Sequence, residues 1–330
     1  MEFIVGMWEG FFANPALEIW DDPIYFIQNV AGGLMVGILY SLVALGFVLI
    51  YKASGVFNFA QPMMAIFATL GLIFFHDKVL YPALGSGYGL TIVLALGCAM
   101  VLMVVLAILV ERLILRPLVN QEEIILFMVT IGLYYFLEGF GETLFNPIAN
   151  SPVPMEALGI EIGPVHVAGV MFQKVDMTAA GVSAVMVILL ALMFQKTPVG
   201  RALRAVADDH QAAQSVGIPL SVMWIVVWVF AGGVALVAGV MWGASAGAVD
   251  FGMVFVGLKA LPVLILGGFT SVPGVIIGGL IIGVGERIAE IYWSPYLGDS
   301  IESWFAYIIA LIILFFRPEG LFGEKLIERI

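Results

Sequence analysis

Any chemistry in this chain would have to come from a few isolated polar side chains. The tract from Gly243 to Gly247 fits the G-x-S-x-G string of serine hydrolases with Ser245 as nucleophile, and His76 and His166 are expected on the same side of the molecule. That string works as a nucleophile only on a sharp turn between a strand and a helix. Here it ends an apolar helix in a tract of small residues, which makes hydrolysis a remote alternative.

Polar groups next to helix breaks are the stronger candidates. Ser54, Asn58 and Gln61 surround a Gly/Pro-interrupted stretch, and broken helices expose backbone groups that can meet a polar solute at membrane depth. Hydrogen-bonding between packed helices explains such residues equally well. Lys259 needs a partner such as Asp250 or pore water if it is buried, or it extends to the lipid headgroups if it lies near a helix end.

Four glutamates are arranged as two i, i+4 pairs near predicted outer helix ends. Glu138 pairs with Glu142 and Glu286 with Glu290, so each pair shares one helix face. A solvated rim is the preferred interpretation. An acidic vestibule for a cationic or zwitterionic solute is the alternative.

The longest polar stretch between apolar runs is residues 195–219. Thr197 is suited to cap a helix with Pro198 in its first turn, and Gly217 and Pro219 mark its end. The sequence therefore predicts one helix over 198–217 that is too polar to cross a membrane. Such a helix could lie against another protein, or it could be a solvated connector.

The elements that position these residues must lie in lipid. Hydrophobic residues make up 62% of the chain and charged residues 11%, far from the balance of a water-soluble domain. Apolar runs predict about nine membrane helices, with eight or ten as alternatives, at about 30–51, 63–75, 88–110, 124–145, 177–194, 222–243, 252–266, 275–291 and 304–316. The fold class is thus an all-α polytopic membrane protein.

Basic residues set the expected orientation. With the N-terminus outside and nine passes, most Lys and Arg residues lie in the cytoplasm, including Lys52, Arg201 and Arg204. The bases left outside are Lys78, Lys174 and Arg287. This distribution satisfies the positive-inside rule. The C-terminus is then cytoplasmic. The absence of Lys and Arg before Lys52 argues against a cleaved signal peptide.

The chain divides into three regions. Residues 1–28 are acidic and aromatic and are predicted to form an extracytoplasmic interfacial segment, with a short tenth span as the alternative. Residues 29–323 form the membrane domain, which includes a proline-rich outer loop at 146–176. Residues 324–330 form a cytoplasmic tail.

Each half of the chain contains an interrupted helix. The breaks are residues 52–62 and 266–274, and Gly/Pro breaks in both halves are typical of transporters built from repeats. The predicted hinge residues are Gly55, Pro62, Gly267, Gly268, Pro273 and Gly274.

Four segments resemble the permease subunits of branched-chain (hydrophobic) amino acid ABC transporters. Residues 200–218 are similar to that family's cytoplasmic coupling loop, 51–61 to the break after an early span, 266–280 to its Gly-rich turn, and 317–323 to its closing motif. The resemblance covers roughly residues 31–323. Pro62 and Thr270 depart from it, because the family usually has Gly at both places.

The resemblance implies the translocation subunit of an ATP-driven importer in the bacterial inner membrane. It would pair with a second permease subunit, identical or merely similar, rest on two cytoplasmic ATPases and receive solute from an extracytoplasmic binding protein. The implied ATPase-coupling residues are Gly200, Arg201, Arg204, Ala205, Asp208, Asp209 and Gly217. The chain has no G-x-x-x-x-G-K-[ST] phosphate loop, so ATP and Mg²⁺ are expected on the ATPases and no cofactor or metal on this chain.

The sequence leaves the solute open. Branched-chain or other amino acids are expected first, with urea, short amides or small carboxylates as the alternative, because membership of a family does not fix the solute. A self-sufficient secondary transporter is the other remote alternative. It would need neither ATPases nor a docking helix.

Overall fold

The computed structural model describes residues 9–84, 88–118, 121–167, 169–298 and 300–323. Residues 1–8 of the predicted interfacial segment and the whole predicted tail lie outside these ranges. Helices dominate the described part of the chain, and the regular strands form one short hairpin.

The α-helices include helices over each of the predicted apolar runs. They are α1 (Asn14–Asp21), α2 (Pro23–Ser54), α3 (Gln61–Phe74), α4 (Tyr81–Leu84), α5 (Tyr88–Leu109), α6 (Glu123–Phe145), α7 (Lys174–Lys196), α8 (Pro198–Asp208), α9 (His210–Ser215), α10 (Leu220–Ala246), α11 (Val254–Leu258), α12 (Ala260–Gly267), α13 (Val272–Leu297) and α14 (Glu302–Phe316). The hairpin consists of β1 (Pro164–Val167) and β2 (Val170–Gln173).

Short π-helical and 3₁₀ turns adjoin several of these helices. The π-helical turns are Glu9–Ala13, Phe75–Leu80 and Val110–Leu115, and the 3₁₀ turns are Arg116–Leu118, Asn146–Ile148 and Phe251–Met253. Phe75–Leu80 joins α3 to α4 and so makes one continuous helical stretch, Gln61–Leu84.

Within the described residues, seven helical stretches are long and apolar enough to cross a bilayer, and Phe251–Gly267 and Glu302–Phe316 are apolar but shorter. Each of the nine predicted runs overlaps one of these stretches, while the count of about nine membrane helices stays a prediction. A bundle of this kind defines a multi-pass membrane protein, since in lipid the backbone polar groups must be satisfied within helices.

The centre of the bundle is the antiparallel pair α2 and α13. A methyl group added at Gly37 would lie 2.6 Å from the carbonyl oxygen of Gly279, and one at Gly283 would lie 2.4 Å from that of Gly33. Only glycine permits backbones this close, as is common where membrane helices pack tightly. The Gly-rich first half of α13 supplies one side of this close helix contact.

The two ends of the bundle differ in charge. One end, called the basic end below, carries Lys52, Arg112, Arg116, Lys196, Arg201, Arg204 and Arg317. The other, called the opposite end, carries the hairpin, the start of α7 and the last turns of α13. There an ion pair joins Glu161, which precedes the hairpin, to Lys174 at the start of α7, and the hydrogen bond from Lys174 lowers the pKa of the Glu161 carboxyl.

The polar stretch after α7 folds differently from its prediction. It forms two helices, α8 and α9, because Asp209 adopts an extended conformation (φ −158°, ψ 111°) and caps α9. Its carboxylate accepts hydrogen bonds from the backbone N–H groups of Gln211 and Ala212 at 2.8 and 3.0 Å. An aspartate offers this alternative to a continuous helix.

Candidate functional site

The two helix breaks meet at the basic end. Lys52, in the last turn of α2, donates a hydrogen bond from Nζ to the carbonyl oxygen of Thr270 at 3.1 Å. The rings of Tyr51 and Phe57 lie 5.5 and 6.2 Å from that of Phe269. The two segments that sequence reasoning singled out separately thus form one contact region.

The first break depends on Gly55 and Pro62. Gly55 ends α2 in the left-handed conformation (φ 69°), which glycine adopts without strain. Pro62 lies in the first turn of α3, where its missing N–H is not needed. Its ring packs against Gly257, where an added methyl group would come within 2.6 Å, so Gly257 makes room for the proline.

The second break is a tight backbone crossing. A methyl group on Gly274 would lie 2.0 Å from the carbonyl oxygen of Gly267, so the end of α12 and the start of α13 touch directly. Gly268 has a φ of 96°, Ser271 caps α13, and Pro273 lies in its first turn. The predicted hinge residues therefore lie at real breaks, while their movement stays a prediction.

The closing motif packs against this second break. The backbone N–H of Leu321 donates to the carbonyl oxygen of Leu266 at 2.8 Å. Gly320 has a φ of 80°, and an added methyl group there would lie 2.7 Å from the carbonyl oxygen of Ile265. Residues 317–323 thus brace the end of α12.

The α8–α9 helix pair is anchored on one side and exposed on the other. The Thr197 hydroxyl accepts a hydrogen bond from the Gly200 N–H at 3.1 Å, and Arg204 donates to the carbonyl oxygen of Phe194. An added methyl group on Gly200 would lie 2.3 Å from two backbone oxygens of α7, so this position requires glycine.

The predicted coupling residues divide between these two sides. Gly200 is buried, as are Leu203 and Val206, whereas Arg204 and Ala205 are half-buried. Arg201, Asp208 and Asp209 are exposed. Gly217 ends the segment with a φ of 87°. The exposed charges are accessible to another protein, and their role in ATPase coupling stays a prediction.

All four family-like segments line one cavity of about 230 Å³ at the basic end. Its walls include Lys52 from the first break, Arg204 from α8, Thr270 from the second break and Phe322 from the closing motif. Segments far apart in the chain are thus brought to one place.

The predicted pathway residues near the first break are engaged in internal hydrogen bonds. Asn58 and Gln61 are fully buried, and Asn58 donates to Gln61 Oε1 at 3.3 Å while Gln61 donates to the carbonyl oxygen of Ala231 at 3.2 Å. Ser54 donates to the carbonyl oxygen of Ile50 at 2.8 Å. These bonds hold the break in place, and contact with solute stays a prediction for all three residues.

Lys259 has carboxylate partners, but not the one predicted. Its Nζ lies 3.7 Å from Glu286 Oε2 and 3.4 Å from Glu302 Oε1. Asp250 instead caps the 3₁₀ turn at Phe251–Met253 by accepting from the Met253 N–H at 3.2 Å. The preferred solvated-rim interpretation is wrong for Glu286, which is 3% exposed and accepts a hydrogen bond from the Tyr40 hydroxyl at 2.8 Å.

Sequence reasoning thus missed a charge cluster in which Tyr40, Lys259 and Glu286 are largely buried and Glu302 lies at the exposed edge. The available signal was a carboxylate many residues inside an apolar helix, which requires compensation in lipid. Glu290 belongs to the same helix face, and its carboxylate accepts a hydrogen bond from the Glu302 N–H at 3.0 Å.

The hydrolase alternative fails on its local structure. Ser245 lies in the last turn of α10, which ends at Gly247 in the left-handed conformation, and no strand leads into it. Within the described residues, His76 binds Asp77 at 2.6 Å rather than Ser245. The strand–turn–helix elbow that this chemistry needs is not formed here.

A multi-pass helical bundle with broken helices and an exposed polar helix pair at one end has the architecture of a transport permease. Residues 29–317 match the family described as the branched-chain amino acid transport system permease component. The chain belongs to this family.

Curated relatives agree with this assignment. The high-affinity branched-chain amino acid transport system permease protein BraD of Pseudomonas aeruginosa is 27% identical over 93% of this chain and 98% of its own length. LivH of Escherichia coli K12, with the same description, is 25% identical over the same shares. A probable LivH of Methanocaldococcus jannaschii is 27% identical over 88% and 91%.

Among solved structures, PsaBC from Streptococcus pneumoniae in complex with Fab aligns with 93% of this chain and 96% of that chain. Its TM-score is 0.47 and its identity 14%, so nothing further is drawn from it.

Proposed function

We propose that this chain is the translocation subunit of an ATP-driven importer for branched-chain amino acids. The main observation that supports this proposal is the match to the permease family over residues 29–317, together with relatives named for branched-chain amino acid transport. The convergence of the four family-like segments on one cavity at the basic end supports it.

The ATPases are proposed to dock on the α8–α9 helix pair. It connects two long apolar helices, α7 and α10, so a push on it reaches the bundle directly. Its exposed Arg201, Asp208 and Asp209 offer charges to a partner. ATP and Mg²⁺ would bind to those ATPase subunits, a second permease subunit would complete the pathway, and a binding protein would deliver solute at the opposite end.

The proposed orientation in the bacterial inner membrane has the N-terminus outside and the basic end in the cytoplasm. The distribution of Lys and Arg supports it, since anionic lipids and the insertion machinery retain positive charge inside. In a C98S chain, a membrane-impermeant maleimide applied to intact cells should label K78C and leave R201C unlabelled. The reverse labelling would invert the topology.

Reconstitution tests the function. The chain is co-expressed with ATPase, second-permease and binding-protein subunits from the same organism, and ATP-dependent uptake of leucine, isoleucine and valine is measured in proteoliposomes. Assembly with uptake of these solutes supports the proposal. Assembly with uptake of urea, short amides or small carboxylates only would replace the solute, and uptake by the chain alone without ATP would overturn the importer class.

A further inference from the structure

A second cavity lies at the opposite end, between α2, the hairpin, α7, α10 and α13. Its volume is about 440 Å³, within the roughly 300–1,000 Å³ typical of small-molecule sites. Its lining combines an apolar wall, which includes Leu39 and Trp242, with a few polar side chains. This combination is typical of a site for a small amphipathic solute.

The charged side chains in this lining are Asp176 and Arg287. Neither forms an ion pair with the other or with another described residue, so their charged atoms are more than 4.0 Å from any opposite charge in the described part of the chain. Arg287 is exposed and lies about three helical turns before the end of α13. Two opposite charges thus face one cavity and remain available to a ligand.

We infer that this cavity binds the zwitterion of an aliphatic amino acid, with its carboxylate on Arg287, its ammonium on Asp176 and its side chain on the apolar wall. The inference rests on the proposed function and identifies where solute first contacts this subunit. A guanidinium matches a carboxylate in a bidentate geometry, and the opposite charge on Asp176 selects a ligand that carries both signs. Asn29, whose amide nitrogen is engaged with the Tyr25 carbonyl, keeps its side-chain oxygen as a further acceptor.

Trp242 connects the wall of this cavity with the core of the bundle. Trp242 lines this cavity and also a smaller one of about 30 Å³ that reaches Pro62 and Gly257 beside the first break. Its ring stacks on Tyr40 at 5.3 Å, and Tyr40 binds Glu286 of the charge cluster. The wall of the amino-acid cavity is therefore continuous with the charged and broken-helix core.

Equilibrium binding of radiolabelled L-leucine to the full-length chain in nanodiscs tests the inference. Leucinamide, which lacks the carboxylate, and 4-methylpentanoate, which lacks the ammonium, serve as competitors. In the unaltered chain both should compete about tenfold or more weakly than leucine, because each loses one charge-assisted contact.

The variants assign each charge to one end of the ligand. Arg287→Gln should weaken leucine about ten- to hundredfold and leave leucinamide nearly unchanged, so that the two bind alike. Asp176→Asn should do the same for leucine and 4-methylpentanoate. Arg287→Lys keeps the charge and should retain the preference for leucine over leucinamide. Lys78→Gln and Glu156→Gln, exposed and outside the cavity, are the matched controls.

The outcomes separate this inference from the proposed function. Leucine binding that is unchanged in Arg287→Gln and Asp176→Asn, as expected if Arg287 only extends to lipid headgroups, would overturn the inference. An equal loss of all three ligands in a folded variant would do so too. No leucine binding by a chain whose assembled importer takes up leucine would overturn the site alone, whereas an importer that takes up no branched-chain amino acid overturns the function.

Discussion

At the scale of single residues, the bundle handles its buried charges by pairing them across elements. Glu286 receives a hydrogen bond from Tyr40 of α2 and lies 3.7 Å from Lys259, which also reaches Glu302 at the start of α14. One oxygen of Glu286, Oε1, is buried without a hydrogen-bond partner. The cluster therefore joins four segments and remains sensitive to the loss of any member.

Removing Lys259 should expose this sensitivity. Lys259→Met leaves Glu286 buried without a cation and should lower the free energy of unfolding by about 3 kcal/mol, because an unpaired buried charge is costly. Adding Glu286→Gln to it should recover part of the loss. The unfolding temperature in detergent measures both effects, with the exposed Lys78→Met as control. A double variant no more stable than Lys259→Met would contradict this account.

Sequence reasoning found Lys259 but not its partners, for a physical reason. A polar residue in an apolar run is visible in the sequence, whereas its partner is chosen by how helices pack. Glu302 lies 43 residues further along the chain. Asp250 was nearer in sequence, but as the residue before a helical turn its carboxylate is satisfied locally.

At the scale of elements, the pairing of α2 with α13 depends on glycines. Gly37→Ala would place a methyl group 2.6 Å from the Gly279 carbonyl oxygen, and a backbone oxygen cannot rotate away. Overpacking of this kind typically costs about 1–3 kcal/mol. We expect a lowered unfolding temperature for Gly37→Ala. Gly32→Ala is the matched control on the same helix, since nothing lies within 4 Å of its added methyl group. An equal decrease in unfolding temperature in both variants would contradict the close packing of α2 against α13.

The α8–α9 helix pair carries a prediction about coupling. Arg201 is exposed and Arg204 is bound to the end of α7, so charge reversal at Arg201 alone perturbs docking without disturbing the local fold. Arg201→Glu should reduce solute uptake per ATP hydrolysed in the reconstituted importer and leave the unfolding temperature unchanged. Lys78→Glu, the same reversal at the opposite end, should change neither. Full coupling in Arg201→Glu would remove Arg201 from the docking surface.

The observed helices show which sequence signals are sufficient to predict where a helix lies and where it ends. Apolar runs located the seven helical stretches long enough to cross a membrane and the two shorter apolar ones among the described residues. Thr197, Gly217 and the Gly/Pro breaks lie where the backbone turns. The division of 198–217 at Asp209 was missed, because helix-favouring alanines surround an aspartate that prefers to cap. The start of α2 at Pro23 rather than near residue 30 was missed because polar residues precede the apolar run.

At the scale of the whole molecule, contacts between distant halves hold the broken helices together. α3 of the first half meets α11 of the second where Pro62 packs against Gly257, and α2 meets the second break through the Lys52–Thr270 hydrogen bond. Between this region and the cavity at the opposite end, the small cavity of about 30 Å³ has room for roughly one water molecule. In this conformation that small cavity is too narrow to admit an amino acid.

Transport should therefore require the two breaks to move relative to each other, which is the largest change that the breaks permit. In a C98S chain, which lacks the single native cysteine, Lys52→Cys and Thr270→Cys place one thiol on each break, at two residues that are now joined by a hydrogen bond from Nζ to the backbone carbonyl. A reducible bis-maleimide across this pair should block ATP-driven uptake by the reconstituted importer, and reduction should restore it. The control pair Glu161→Cys and Lys174→Cys links two ion-pair partners at the opposite end that do not line the amino-acid cavity, so cross-linking there should leave uptake intact. If importers cross-linked between residues 52 and 270 transport at the uncross-linked rate, the breaks stay fixed during transport and movement must arise between the two permease subunits instead.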